Sequence, residues 1–459
     1  MTMCPDDLRT FLHLLEQADQ LARVPAMVDP HLELATIVDR VCKGAGQGRA
    51  LLFEQVRGTG LRVATNLFGT VERIGWALGT TDLAGMAERF AADLLASGAN
   101  SAELALARLA QASDWQPVVA SQPHWCERDH STVGLDLLPA ITAWPGDGGP
   151  YQTLAQVYTR HPDGGALNSG IYRLQRHGPH TATVRCRPGS GAAGHLAAWH
   201  RRGLAMPVAV ALGGPPVLTW ASGVPLPAAV EEAAFCGYLT GQRLAMSNAQ
   251  TSSLQVPASA EVVIEGAIAP GDTRREGPFG NHTGSYDNEL AAPVLRVQSV
   301  HAREGALCPW TLVGPPPREN LQLARATACL FLPLVRMAVP TVQGLHMPVE
   351  GVFHRAALVT VDPGEDRPLA EVAGLLWETL LLKGSRLLVV GAADHDPHEP
   401  AAVFWRVLNR VDWGRDLLVV DGRLAVDARR LPPGPPVGPD PDVLAAVLAR
   451  WAEYRINAS

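Results

Sequence analysis

The chain of 459 residues lacks several features that would fix its class at once. Its seven cysteines are scattered and form no C-x-x-C pair, so we expect buried, reduced thiols. There is no run rich in Lys and Arg, and the net charge of −7 offers no basic field for nucleic acid. No stretch of about 18 consecutive apolar residues occurs, and the N-terminus MTMCPDDLRTFL has no basic segment followed by an apolar core. We therefore predict a cytoplasmic protein of enzyme size with no membrane span and no nucleic-acid partner.

An apolar content of 47% is enough for two or three domains, and the texture of the chain divides it into three. Residues 1–115 read as mostly helical, because DDLRTFLHLLEQADQLARV and TTDLAGMAERFAADLLASGANSAELALARLAQA carry apolar residues at three- and four-residue spacing. Between them, ALLFEQV and LRVATNLFG look like strands. Residues 116–315 carry short β-prone runs between Gly and Pro, which suggests a barrel-like sheet with helices at 192–202 and near 228–241. Residues 316–459 alternate strands and helices and end in the helical VLAAVLARWAEYRI after a Pro-rich stretch, LPPGPPVGPDPD. The predicted class is α/β (α+β).

The loop RPGSGAAGHL, residues 187–196, contains G-x-G-x-x-G between a predicted strand and a predicted helix. A dinucleotide fold needs an acidic residue about 20 positions further on, yet no Asp or Glu occurs between Cys186 and Val230. The helix that follows is also short, because PVAVALG begins soon after Gly203. We reject a nicotinamide site, which leaves a phosphate at a helix N-terminus or a plain surface turn.

The stretch EGPFGNHTGSYDNE, residues 276–289, combines a carboxylate, a constrained Gly-Pro-Phe-Gly path and three polar side chains at 281–283. Side chains that exchange or donate protons in so constrained a loop are typical of an active site. On the residues alone, an active-site loop and a packing loop remain equally open.

Together with other segments, this loop resembles the UbiD family of decarboxylases, which use prenylated FMN. The segments follow the family's order along most of the chain: DGGPY at 147–151, NSGIYRLQ at 168–175, MPVAVALG at 206–213, VPASAEVVIEGAI at 256–268, EGPFG at 276–280, MPVEG at 347–351 and NRVDWGRD at 409–416. The resemblance implies an N-terminal α/β region at 1–115, a split β-barrel that binds the flavin at 116–315 and a C-terminal α/β oligomerisation domain at 316–459.

The resemblance also implies catalytic roles. Arg173 would bind the substrate carboxylate, since a guanidinium forms two parallel hydrogen bonds and stays charged, and Glu276 would lie near it. The family's acid follows EGPFG as Glu or Asp, but this chain has Asn281, whose amide cannot act as a general acid. His282 could take over, because an imidazole titrates near neutrality, or the chain could have lost ordinary decarboxylation.

Cofactor contacts follow from the same resemblance. Asn168 and Glu232 match two of three ligands of a divalent ion, such as Mn²⁺, that holds the cofactor phosphate, and K⁺ is a further candidate ion. The third ligand, a His, would fall at Gly191, and His195 is the nearest substitute, although capping or solvation also explains it. Arg386 would supply positive charge, with Lys383 as a second candidate. The implied cofactor-binding residues are Asn168, Ser169, Gly170, Ile171, Arg173, Gly191, Glu232 and Arg386.

Two hypotheses stay open. The first is a reversible, non-oxidative carboxy-lyase that acts on an aromatic or α,β-unsaturated acid and obtains prenylated FMN from a flavin prenyltransferase. The second is an altered or inactive binding or assembly subunit, which Asn281 and the missing His favour. We also expect a homodimer or higher homo-oligomer, because VAGLLWETLLL at 372–382 and the helix at 443–456 are more apolar than a free surface allows.

Overall fold

A computed structural model of the protein describes residues 4–44, 48–394, 396–430 and 437–454. The mixed α/β class and the barrel-like central sheet are confirmed. The first half of the Pro-rich stretch, at 431–436, and the last two residues of VLAAVLARWAEYRI lie outside the described residues.

The N-terminal region is a small sheet with helices packed against it. Its elements are α1 Leu8–Gln17, β1 Leu21–Val28, α2 Glu33–Cys42, β2 Ala50–Val56, β3 Arg62–Thr65, α3 Val71–Ala77, α4 Leu83–Ala96 and α5 Ala102–Gln111. β1 and β2 pair in parallel. The helical pattern of DDLRTFLHLLEQADQLARV holds for α1 but not for LARV, because Asp19 adopts a left-handed φ of 55° just after α1 and LARV begins β1.

The central region is dominated by a ten-stranded sheet that curls into a half-barrel. The elements of this region are β4 Val118–Val119, β5 Arg128–Asp129, β6 Tyr151–Gln152, β7 Gln156–Thr159, β8 Asn168–Ile171, β9 Leu174–Gly178, β10 Thr181–Val184, α6 Gly191–Arg201, β11 Met206–Gly213, α7 Pro216–Ala221, α8 Glu232–Thr240, β12 Ala245–Asn248, β13 Gln255–Pro257, β14 Ala260–Ile268, β15 Thr273–Glu276, β16 Phe279–Gly280, β17 Tyr286–Asp287, β18 Leu290–Ala302 and β19 Leu307–Pro309. The strand order in the sheet is β6-β9-β10-β18-β14-β11-β7-β8, and β5 and β15 also pair with β18. The apolar run MPVAVALG forms β11, which is buried on both faces between the helices and the opposite half of the barrel core.

The N-terminal region is joined to the central sheet by pairing and by charge. β19 pairs in parallel with β3, so the last strand of the central region completes the N-terminal sheet. On β14, the fully buried Glu261 accepts two hydrogen bonds from Arg9 of α1, at 2.9 and 3.0 Å, and a further contact from Arg303. These contacts fix the position of the sheet that carries the site.

The C-terminal region is a five-stranded sheet of order β20-β21-β22-β24-β23 with helices on both faces. Its elements are α9 Glu319–Ala338, β20 Val342–His346, β21 Ala356–Val361, α10 Leu369–Glu378, β22 Leu387–Ala392, α11 Pro400–Arg410, β23 Leu417–Val420, β24 Arg423–Ala428 and α12 Pro441–Ala449. The expected apolar surface at 372–382 is wrong, because Val372, Ala373, Leu376 and Trp377 are buried in the core of this region.

Helix α9 has the length and hydropathy of a membrane span. In the part of the chain that the structure describes it is the one helix that does, and 56% of its most apolar window is buried inside the protein. It packs against α3, α4 and β20, as a core helix does.

Candidate functional site

Arg173 lies between β8 and β9, and its guanidinium group contacts two carboxylates at its edges and one aromatic ring on its face. Its Nε and Nη2 atoms donate to the two carboxylate oxygens of Glu276, at 2.8 and 3.1 Å, and its Nη1 donates to Asp287 Oδ2 at 2.9 Å. The Phe279 ring covers its Cζ atom at 4.0 Å. Burial disfavours the charge, but the two carboxylates outweigh it and raise the pKa of Arg173. The guanidinium is therefore charged and fixed in orientation.

A short hairpin brings three of these groups to Arg173. β15 ends at the fully buried Glu276, and β16 and β17 then pair so that Phe279 lies opposite Asp287. The turn between them is closed by Asn281 N donating to Ser285 O at 3.0 Å. The polar stretch recognised in the sequence is thus a hairpin folded around one guanidinium.

The DGGPY segment, residues 147–151, binds this hairpin through hydrogen bonds. Asp147 Oδ1 accepts from Gly280 N at 2.7 Å, and Gly148 N donates to Pro278 O at 2.8 Å. A Cβ atom on Gly148 would lie 1.9 Å from Gly277 O, so only glycine permits the approach of the two backbones. The motif therefore positions the EGPFG loop.

Asn281 holds Asp287 in place. Its Nδ2 donates to Asp287 Oδ1 at 2.8 Å, and its Oδ1 accepts from His282 N at 2.8 Å. Burial alone would raise the pKa of Asp287, but the hydrogen bonds from Asn281 and Arg173 outweigh burial and lower it. In this state Asp287 is a carboxylate near neutral pH.

His282 packs against a loop of the C-terminal region. Its ring lies 5.5 Å from that of Phe353 and 5.8 Å from that of His354, and within the described chain its buried Nδ1 has no hydrogen-bond partner. Burial, followed by His354 and Arg187, lowers the pKa of His282 to about 4. The expectation that His282 titrates near neutrality is therefore wrong, and its ring is neutral at pH 7.

The loop that meets His282 has an unusual backbone. Val352 and Phe353 both adopt left-handed φ angles, of 48° and 52°. Such conformations cost on the order of 1 kcal/mol each in residues with a Cβ atom, and they concentrate at functional sites. The backbone N–H of Arg386, just before β22, donates to the carbonyl of Arg355 at 2.7 Å. The predicted Arg386 therefore lies beside this loop, with its side chain exposed.

A second group of predicted residues surrounds β8. Asn168, Ser169, Gly170 and Ile171 form that strand, and Ser169 N donates to Glu232 Oε2 at 2.9 Å. Glu232 begins α8 and is buried, and burial raises its pKa to about 8 despite the backbone N–H groups that it accepts. In the described part of the chain no Lys, Arg or His forms an ion pair with it.

The glycine-rich loop ends beside the same strand. Ser190 caps α6 through Ala193 N, and a Cβ atom on Gly191 would lie 2.0 Å from Asn168 Oδ1. A His at 191 would therefore collide with Asn168. His195 Nδ1 lies 3.0 Å from Thr159 Oγ1, which also accepts from Asn168 Nδ2 at 3.4 Å.

These contacts place Asn168 beside Gly191 and the Thr159–His195 pair, and Glu232 beside the backbone of the next residue on β8. No group of three or more His, Cys, Asp or Glu able to hold a metal occurs among the described residues. The oxygen of Asn168 and the buried carboxyl group of Glu232 nevertheless fit a hard divalent cation, whose positive charge would favour the ionised form of Glu232 that burial disfavours.

Sequence reasoning missed Asp287 and the 352–354 loop. Asp287 lies in the quoted stretch, where FG and SY flank turn-forming residues, so reading the stretch as a hairpin would have placed it near Phe279. No local signal marks Val352, Phe353 or His354, because their role arises from contact with a distant loop.

Comparisons with known proteins identify the family of a chain that combines a half-barrel sheet with a buried arginine–carboxylate pair. Three domains of 3-octaprenyl-4-hydroxybenzoate carboxy-lyase match the chain: the N-terminal domain at 12–92, the Rift-related domain at 118–316 and the C-terminal domain at 321–429. An uncharacterized protein of Archaeoglobus fulgidus is 33% identical over 420 residues, which cover 91% of this chain and 87% of that protein. The chain belongs to the UbiD family, so the resemblance seen in the sequence is confirmed.

Solved structures agree on the fold. An evolved dimeric form of the UbiD-class enzyme HmfF from Pelotomaculum thermopropionicum, in complex with prFMN, superposes with a TM-score of 0.82 at 27% identity and covers 97% of this chain and 100% of that one. The vanillic acid decarboxylase of Sedimentibacter hydroxybenzoicus, in its closed form, gives 0.83 at 23% identity over 99% of both chains, which shows the fold alone.

Proposed function

We propose that the protein is a reversible, non-oxidative decarboxylase that uses prenylated FMN and acts on an aromatic or α,β-unsaturated carboxylic acid. The proposal rests on the Arg173–Glu276 pair, in which two hydrogen bonds of 2.8 and 3.1 Å join Arg173 to the fully buried Glu276. A fixed guanidinium of this kind recognises a planar carboxylate. The family and the dimeric structure with prFMN supply the reaction class.

The cofactor would be held at β8. Asn168, Glu232 and His195 would hold a divalent ion such as Mn²⁺, and the N-terminus of α6 at Gly191 offers free backbone N–H groups to a phosphate. When bound, prenylated FMN supplies the electron sink for loss of carbon dioxide. Arg386 and K⁺ remain proposed contributors to the same end of the site.

Arg173 would bind the substrate carboxylate. Glu276 and Asp287 take three of its five N–H donors, and the remaining two, one on each Nη atom, would bind the ligand. Glu276 keeps the guanidinium oriented, and the Phe279 ring prevents it from swinging out of plane. The chain thus positions the carboxylate before reaction.

The runner-up is an altered or inactive binding subunit. It rests on Asn281, which donates to Asp287 and has no proton to give in the useful pH range. The two functions differ in the behaviour of protein that carries the flavin: an enzyme would turn over an acid, whereas a binding subunit would hold flavin without turnover.

The test is flavin uptake followed by turnover. Protein produced together with a flavin prenyltransferase and Mn²⁺ is expected to carry a flavin with the mass of prenylated FMN and to release carbon dioxide from some member of a panel of aromatic and acrylic acids. Arg173→Ala is the control, expected to retain flavin and lose turnover. Protein without flavin contradicts the proposal, and flavin without turnover on any acid favours the binding subunit.

We also propose a homodimer formed through the end of the chain. Helix α12 has no buried residue, and its exposed apolar side chains are continued by two aromatic residues in the turn that follows: Val443, Leu444, Leu448, Trp451 and Tyr454. α11 exposes Trp405 and Leu408 as well. A second copy is the occupant that the dimeric structural neighbour supports.

A further inference from the structure

Asp287 is a carboxylate at the centre of the site with no role in the assignments above. We propose that Asp287 is the proton donor of the reaction and replaces the acid that Asn281 cannot supply. The inference rests on the proposed function, because it requires that a substrate carboxylate binds Arg173.

Position and exposure support the assignment. Asp287 Oδ2 accepts from Arg173 Nη1 at 2.9 Å, and Oδ1 accepts from Asn281 Nδ2 at 2.8 Å, so the carboxylate lies within one hydrogen bond of the group that receives the substrate. Its side chain is 31% exposed, whereas that of Glu276 is 0% exposed. Of the two carboxylates on Arg173, Asp287 is the one that water can reach to restore a proton.

Substrate binding would change the protonation of Asp287. A carboxylate that binds the remaining donors of Arg173 shares the Nη1 atom with Asp287, and two anions so close favour the neutral form of one of them. Without substrate, the hydrogen bonds from Asn281 and Arg173, and the charge of Arg187, lower the pKa of Asp287 against the effect of burial. The other titratable groups on the facing elements include Glu276, Asp147, Tyr151 and the neutral His282. Binding of an acid is therefore coupled to uptake of a proton, and Asp287 becomes a carboxylic acid.

The step balances without a further reactant. The bond between the substrate carbon and its carboxylate breaks, carbon dioxide leaves, and the electron pair that remains on the carbon takes the proton of the Asp287 carboxyl group. Asp287 returns to the carboxylate form on Arg173 and recovers a proton from water when the next acid binds. Asn281 acts as a positioning residue that holds Oδ1 while Oδ2 exchanges.

The first test measures proton uptake without the cofactor. Benzoate is titrated into flavin-free protein by calorimetry near pH 7 in two buffers that differ in ionisation enthalpy, with Asp287→Asn as the variant. Wild type is expected to take up between about half and one proton per benzoate, and the variant none, because one carboxylate changes state. Asp272→Asn is the matched control, since Asp272 also pairs with one arginine, Arg296, at 2.7 and 3.1 Å but lies outside the site.

The outcomes separate the two proposals. Benzoate binding with equal proton uptake in wild type and Asp287→Asn, or with none in wild type, overturns the role of Asp287 alone. No benzoate binding in either protein overturns the carboxylate site at Arg173 and this inference with it.

The second test uses the flavin-loaded enzyme. Asp287→Asn is expected to lower product protonation by about 10²–10⁴-fold, the range of general acid catalysis, with the loss decreasing as pH rises, because wild-type Asp287 then gives up its proton. The double variant Asn281→Asp/Asp287→Asn exchanges amide and carboxyl across the hairpin and is expected to recover part of that loss. An unchanged rate and pH profile in Asp287→Asn would refute the assignment.

Discussion

Replacing Arg173 by Ala should loosen the hairpin that carries the site as well as remove a binding group. Glu276 is fully buried and depends on Arg173 for two of its hydrogen bonds. Breaking a buried ion pair by removing one partner costs about 3–5 kcal/mol, because the other charge stays buried without compensation. Asp287 is half-buried and can be rehydrated, so most of the penalty falls on Glu276.

Hydrogen–deuterium exchange of peptides covering 273–290 measures this penalty locally. An opening free energy lowered by about 3 kcal/mol corresponds to exchange faster by about two orders of magnitude. Adding Glu276→Gln to Arg173→Ala should restore much of the protection, since the buried charge is then gone.

The matched control is Arg296→Ala. Arg296 also pairs with a carboxylate through two hydrogen bonds, but at an exposed position on β18 where solvent screens the pair. It should leave exchange of the hairpin unchanged. Equal protection in Arg173→Ala and Arg296→Ala, or no rescue by Glu276→Gln, would refute the view that a buried ion pair holds the hairpin.

Two further predictions concern the metal and the assembly. Glu232→Gln keeps an acceptor for Ser169 N, and burial already favours the neutral form of Glu232, so flavin-free protein should be about as stable as wild type. The variant should lose the rise in Tm that Mn²⁺ gives, with Glu231→Gln as the neighbouring control, and a retained Mn²⁺ effect in Glu232→Gln would exclude the site. The double variant Leu444→Asp/Leu448→Asp should convert a dimer to a monomer in light scattering at micromolar concentration. The control Leu95→Asp, at an exposed apolar position on α4, should leave the dimer intact. A dimer that survives the double change, or a monomeric wild type, contradicts the assigned interface.

The sequence allowed the family and the fold class to be predicted, because ordered motifs and apolar runs are local signals. MPVAVALG and VPASAEVVIEGAI became the long central strands β11 and β14. The motifs predicted that Arg173 and Glu276 lie close together, and two hydrogen bonds join them in the fold.

The remaining features depend on contacts between distant segments. His282 loses its ordinary titration because Phe353 and His354, from another domain, bury its ring. The apolar segment at 372–382 was expected on the surface, yet α9 and the C-terminal sheet cover it. Apolar periodicity shows which face of a helix is buried but not whether its own domain or a partner buries it.

The proposed loss of carbon dioxide from an unsaturated acid at Arg173 is tested most directly by deuterium incorporation from D₂O into the product carbon, with protein loaded with prenylated FMN and supplied with aromatic and acrylic acids. One deuterium per carbon dioxide released is expected with wild type, and none with Arg173→Ala. Equal incorporation in both proteins, or carbon dioxide released without deuterium in the product, would contradict it.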